Sequence, residues 1–166
     1  MSDNDKTTGN LQKSEESTAA PEAPENPKQE LKKAIQGSHQ VLVSATTVFP
    51  FTLFPDTITV DRAKLTITHR SFFSVAEVMS IRIEDVLNVT ANVGPLFGSI
   101  KITSRIFNIE KPYTVDHFWR EDALKIKRIT QGYIIALQKK IDCSVLSTSE
   151  LSAMLDDLGK DDHDNV

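Results

Sequence analysis

The sequence predicts a mainly β domain closed by C-terminal helix: a strongly curved antiparallel sheet, or partly open barrel, capped by a long helix and followed by a short terminal helix. Three observations carry this. Apolar residues recur at a period of two from Thr57 to Ile106, broken by turn-forming residues. From Arg120 to Ile141 the period shifts to about 3.6. A capping box, Ser147 to Glu150, then opens a brief apolar run.

Residues 1–28 are polar and proline-bearing, with almost no large apolar side chains. Such a segment buries too little surface to offset its ordering entropy, so disorder is expected. QELKKAIQ can form a short helix ended by Gly37, which needs docking to be stable. Residues 1–38 are therefore read as a disordered, acidic, proline-containing segment, 39–141 as the folded domain and 142–166 as an acidic tail with a helix over about 148–158.

The stretch VFPFTLFPD, Val48 to Asp56, is the most apolar in the chain. Phe49, Phe51 and Leu53 alternate, so we read it as the first strand and rim of the core, kept to an edge by its prolines. An exposed insertion loop is the competing reading. Ile58 with Val60, then Leu65, Ile67 and His69, form a hairpin across the polar DRAK turn. Met79, Ile81 and Ile83 share the next strand face, and Leu87, Val89, Ala91 and Val93 the one after. GPLFG supplies a turn, Ile100, Ile102 and Ile106 resume the alternation, and a last short strand falls near Tyr113 to Val115.

In the long helix, Ala123, Ile126, Ile129 or Thr130, Tyr133, Leu137 and Ile141 form the apolar stripe, opposite Lys125, Arg128, Lys139 and Lys140. Gly132 inside it costs about 1 kcal/mol of helix propensity, which close backbone approach to a sheet would offset. In the terminal helix, Leu146 and Leu151 make a hydrophobic staple, and Leu151, Met154, Leu155 and Leu158 share one face up to Gly159. That face docks on the domain's own body, or it binds a partner's groove or another copy of the chain.

FPFTLFPD, SFF at 71–73, IRIEDVLNV, GPLFGSIKI and DALKIKRITQGYIIA resemble small uncharacterised proteins of candidate-phyla bacteria. The strand series closed by a helix resembles bacterial pleckstrin-homology-like domains. The resemblance covers roughly residues 48–158. It implies a fold that hosts lipid-headgroup, peptide and oligomer contacts and rarely catalysis, a fold-level analogy only.

Chemistry-bearing residues are sparse. His39, His69, His117 and His163 lack partners at metal-ligand spacing, so no metal or cofactor is expected. Cys143 is the single cysteine, which excludes an intramolecular disulfide, and no neighbouring motif activates it. Glu84 and Asp85 are adjacent, so on a strand they face opposite ways and suit a turn better than a catalytic pair. GPLFG links strands and lacks the helix end of a phosphate cradle. No catalytic residue is assigned.

Charge is uneven: seven acids and five bases over 1–40, nine and thirteen over 41–141, seven and one over 142–166. The basic body points to an anionic ligand, with Lys64, Arg70, Arg82, Lys101, Arg105 and Lys111 as candidate contacts, most of them on the outward strand phase. They are too scattered for a nucleic-acid site. No secretory signal and no run of about 18 apolar residues occurs, so a cytoplasmic protein without a transmembrane segment is expected. Two functions follow: a non-enzymatic binding or scaffold module, peripheral at the inner membrane surface or holding an anionic ligand, and a structural protein that self-associates through a sheet edge or the terminal helix.

Overall fold

In the computed structural model, residues 27–38, 40–51, 53–71, 76–106 and 112–161 are described. The 1–26 segment, Phe72 and Phe73, His39, Lys111 and His163 lie outside them. The element order is helix α1 (Pro27–Ser38), strands β1 (Val41–Thr46), β2 (Thr57–Asp61), β3 (Lys64–Arg70) and β4 (Ala76–Arg82), a 3-10 turn (Ile83–Asp85), strands β5 (Val86–Val93), β6 (Phe97–Ser104) and β7 (Tyr113–Trp119), and helices α2 (Arg120–Gln138) and α3 (Thr148–Leu158). The fold is mainly β with a long helix and a second helix near the C-terminus. The strands form two antiparallel sheets, β1-β2-β3-β4 and β5-β6-β7, both open.

Period-two sequence makes the first sheet amphipathic. Val43, Val60, Leu65 and Ile81 pair in one row across its four strands and are all buried. One residue along, Ser44, Thr59, Thr66 and Ser80 form the matching outward row. Ser44 and Thr59 hydroxyls lie 2.9 Å apart, and Thr66 and Ser80 3.4 Å apart. One face is therefore dry and one wet, as alternation requires.

The first strand lies earlier than VFPFTLFPD. Val43 and Ala45 supply its inward residues, and a register shift between Val41 and Val43 brings Leu42 inward as well. A second shift, between Val86 and Asn88, leaves Leu87 exposed while Val86 and Val89 are buried. Alternation at 87–93 pointed the other way for Leu87, because one extra residue inverts the phase. Ile106 lies past the end of β6 and is exposed. In β7 the pairings Gly98–Phe118 and Ile100–Val115 leave one unmatched residue near Asp116 and His117. His117 takes a left-handed backbone, φ 69°. Val115 and Phe118 consequently both reach the core.

Helix α2 buries Ala123, Ile126, Ile129, Thr130, Tyr133 and Ala136 against the sheets, whereas Leu137 and Ile141 at the end of the expected stripe are exposed. Helix α3 begins at the expected capping box: the Glu150 N–H donates to Ser147 Oγ at 3.3 Å, and the Ser147 N–H to Glu150 Oε2 at 3.1 Å. The Ser147 hydroxyl, which donates to Glu150 Oε2 at 2.6 Å, and then the Ser147 N–H hold the exposed Glu150 carboxyl below its usual range. Leu151 and Leu155 join the core, so α3 is part of the body.

Gly132 is explained by α3 and not by a sheet. A Cβ at 132 would collide with the Leu155 carbonyl, and one at Gly159 with the Arg128 carbonyl. Gly159 has φ −94°, so closeness of the two backbones, not a left-handed turn, excludes a side chain there. Arg128 Nε also meets Asp156 at 2.8 Å. Helix α1 runs through Gly37 to Ser38, with Leu31 and Ile35 exposed.

Two stability measurements check this packing. Helix propensity alone makes Gly132→Ala stabilising by about 1 kcal/mol, but the collision with α3 should reverse the sign, giving a loss of about 1–3 kcal/mol in thermal melts. A variant melting at or above the parent temperature would refute the close helix contact. Ile81→Asp, at a fully buried site, should prevent folding or destabilise severely. Arg82→Asp, one residue on and 74% exposed, should shift stability by no more than about 1 kcal/mol.

Candidate functional site

Lys111 lies outside the described residues, and the other five candidate cations do not form one patch. Lys64 and Arg82 are register partners on β3 and β4. Asp85 gathers others around them, since its carboxylate meets Arg82 Nε at 3.0 Å and its carbonyl accepts from the Arg105 N–H at 2.8 Å. Lys64, Arg82 and Arg105 thus share one end of the sheets with Glu84 and Asp85, which offset much of their charge. Lys101 lies midway along β6. Arg70 ends β3 about 20 Å from Lys64, at strand rise.

The four terminal-helix residues divide by burial. Leu151 and Leu155 are 1% and 2% exposed and serve the core, while Met154 and Leu158 are exposed. With Ala136, Ile141, Cys143 and Leu146 they line an apolar groove of about 510 Å³, bordered by Asp157. Arg62 fixes its far bank by donating from Nη1 to the Cys143 carbonyl at 2.9 Å and from Nη2 to the Leu146 carbonyl at 2.5 Å. Burial, then the Asp142 charge, raises the Cys143 thiol above its ordinary pKa, which disfavours the thiolate.

The feature that stands out is at the other end. VFPFTLFPD is not the first strand: Phe49, Phe51 and Leu53 are 66%, 56% and 68% exposed. With β1 already supplying the edge strand, this segment closes on itself as a loop. Its neck is pinned by Thr47 N–H to the Asp56 carbonyl at 2.8 Å and by Asp56 N–H to Thr47 Oγ1 at 2.9 Å. The Asp56 carboxylate accepts from the Arg70 N–H at 3.1 Å and meets His69 Nδ1 at 2.8 Å. His69, expected at the core rim, is exposed and holds the loop.

The β7 irregularity gives the loop a second anchor. The Val48 N–H donates to the His117 carbonyl at 2.8 Å. The left-handed turn lets the His117 imidazole stack on Phe51 with centroids 5.7 Å apart. Phe51 meets Phe97 edge-on at 4.9 Å, and Phe97 stacks on Trp119 at 5.1 Å. Leu96 in the β5–β6 turn and Trp119 are 64% and 50% exposed. Two loops and a strand end thereby unite one apolar patch.

From sequence, Leu96 and Phe97 count only as part of the GPLFG turn and His117 only as a histidine without a metal-ligand partner, and Trp119 does not stand out. Their signal was present, in the apolar PLF between two glycines and in HFW at the start of the long helix. What joins them is the bulge, which period counting does not locate.

Among the described residues no group of three or more His, Cys, Asp or Glu could hold a metal ion, and no helix is long and apolar enough to cross a membrane. Compared with known proteins, the chain matches no family model and no curated sequence.

The exposure of the loop reverses the consequence of truncating it. Phe51→Ala should cost under about 1.5 kcal/mol, mostly the lost ring contacts, whereas Phe118→Ala, at a fully buried site, should cost about 3–5 kcal/mol. Chemical denaturation of both variants reads the contrast directly. Equal losses would place Phe51 in the core.

Proposed function

We propose that the chain is a non-enzymatic binding module of pleckstrin-homology-like type that docks its aromatic end into the interfacial zone of a lipid bilayer. The observation that carries this is the joint exposure of Phe49, Phe51, Leu53, Leu96 and Trp119 at one end of the sheets. Contiguous exposed apolar surface of this kind marks an interaction site. Phenylalanine, leucine and tryptophan at turn tips suit the headgroup boundary, where the rings enter the acyl edge and the indole N–H stays wet. Fully burying one such side chain yields about 1.5–3 kcal/mol, so partial burial of five supports reversible association.

The driving force in this reading is apolar. Lys64, Arg82 and Arg105 lie at the far end, and the aromatic end has Asp56, Asp116, Glu121 and Asp122 beside Arg70 and Arg120. That mixed rim gives no advantage to an anionic surface. The module therefore differs from a basic headgroup site in its salt response.

Sedimentation with neutral phosphatidylcholine vesicles tests the proposal. The protein should pellet with them, with little loss at high salt and little gain from added anionic lipid. Phe49→Ala combined with Leu53→Ala should weaken binding by about tenfold or more with the melting temperature nearly unchanged. Lys64→Glu with Arg105→Glu should bind as the parent does. Failure to pellet would redirect the patch to a protein partner, and binding abolished by salt would restore the basic residues as the site.

A further inference from the structure

Beside the aromatic patch lies a cavity of about 340 Å³, lined by Pro95, Leu96, Trp119, Arg120, Glu121 and Asp122. Two links set its shape. The Arg120 N–H donates to the Leu96 carbonyl at 2.9 Å, and Arg120 Nη1 donates to the Gly94 carbonyl at 3.0 Å. The β5–β6 turn is thereby fastened to the first turn of α2. Within that turn the Gly94 N–H donates to the Phe97 carbonyl at 2.7 Å. All six lining residues thus come from two segments held at a fixed separation.

The walls combine two kinds of group. Trp119, 50% exposed, has Phe97 stacked on one face at 5.1 Å, so its other face is the one left for a ligand. Leu96, 64% exposed, and Pro95 add apolar surface. Glu121 and Asp122 supply two carboxylates, and among the described residues neither side chain has an ion pair or hydrogen bond. Acids in a first helical turn also stabilise the helix through its dipole. That role alone calls for no aromatic wall and no enclosing turn.

An aromatic face beside carboxylates attracts a cation, and a quaternary ammonium suits it best, with methyl groups that pack on the ring and a diffuse charge. A bare cation fits only part of this cavity, because Arg120 and the positive end of α2 oppose it. A zwitterion matches both signs. We propose that the cavity binds a phosphocholine group, with the trimethylammonium against Trp119 and the two carboxylates and the phosphate toward the positive end of α2. Arg120 is engaged by Gly94 and contributes its charge there. A membrane lipid and a soluble phosphocholine ester present the same group. The lipid source rests on the bilayer reading of this end, whereas the chemistry of the cavity does not.

Trp119 is the only tryptophan of the chain, so its fluorescence reads the cavity directly. Titrating the full chain with soluble phosphocholine should give a saturable change. Phosphoethanolamine, whose primary ammonium is compact and strongly hydrated, should bind about fivefold or more weakly, and inorganic phosphate should give no change. Glu121→Gln with Asp122→Asn should weaken phosphocholine binding by about tenfold, with thermal melts confirming the fold. Phe49→Ala with Leu53→Ala, which lie outside the cavity, should leave the titration unchanged. A saturable response in a protein that does not pellet with phosphatidylcholine vesicles upholds the cavity with a soluble source, and only the bilayer reading fails. Pelleting without any response to phosphocholine overturns the present proposal and spares the bilayer reading. A carboxylate variant that binds as the parent does, or equal responses to phosphocholine and inorganic phosphate, overturns it too and leaves the two acids as stabilisers of α2.

Discussion

The near-contact of two helix backbones at Gly132 and Gly159 governs much of this structure. With no side chain at either position, α3 can lie directly on α2, and only then do Leu151 and Leu155 reach the core. Two polar links hold the same contact at its flanks, Arg128 to Asp156 and Lys127 to Asp161. At the far side, Arg62 grips the carbonyls of the 143–146 connection while its own carbonyl accepts from the Tyr133 hydroxyl at 2.6 Å. The turn between β2 and β3, the end of α2 and the start of α3 are thus locked together. The groove exists because α3 is held at that height: its buried pair forms the floor and its outward residues the bank.

Irregularities in the strands set the remaining surfaces. A regular sheet would present alternate residues to water and nothing more. The extra residue in β7 lets Val115 and Phe118 both face inward and turns His117 out to meet Phe51. Bulges redirect side chains in this way at small energetic expense, and they are frequent beside functional surfaces. The hydroxyl row on the first sheet is the contrasting case. It is regular, wet and internally hydrogen-bonded, so it offers no apolar area to a partner.

The elements whose signal is local were readable from sequence. Alternation in TITV and KLTITHR gave β2 and β3, and Ser147 with Glu150 gave the start of α3, because each rests on residues a few positions apart. What failed were matters of phase and competition. VFPFTLFPD alternates as well as any strand, but Val41–Thr46 pairs with β2 first, and no local count reveals which segment wins. Leu87 followed the rule until a bulge inverted it. Gly132 was read correctly as a site of close approach, yet its neighbour proved to be the next helix along the chain and not a sheet. Most of the candidate cations fall on the outward phase in sequence, which says nothing about the end of the sheet at which each lies. The aromatic end was half visible, as an apolar stretch without its companions.

The two hydrogen bonds from α3 back to the first strand also bear on how the protein is made. Thr148 donates to Gln40, and Ser152 to the Leu42 carbonyl, across separations of 108 and 110 residues. Strand β1 can pair with β2 soon after it leaves the ribosome, but its other support does not yet exist. At typical elongation rates of about 5–20 residues per second, several seconds pass before α3 emerges. Through that interval the nascent sheets lack Leu151 and Leu155, and the surface they will cover stays open to chaperones. Completion of the core is therefore a late event relative to the pairing of β1 with β2, with α3 acting as the closing piece.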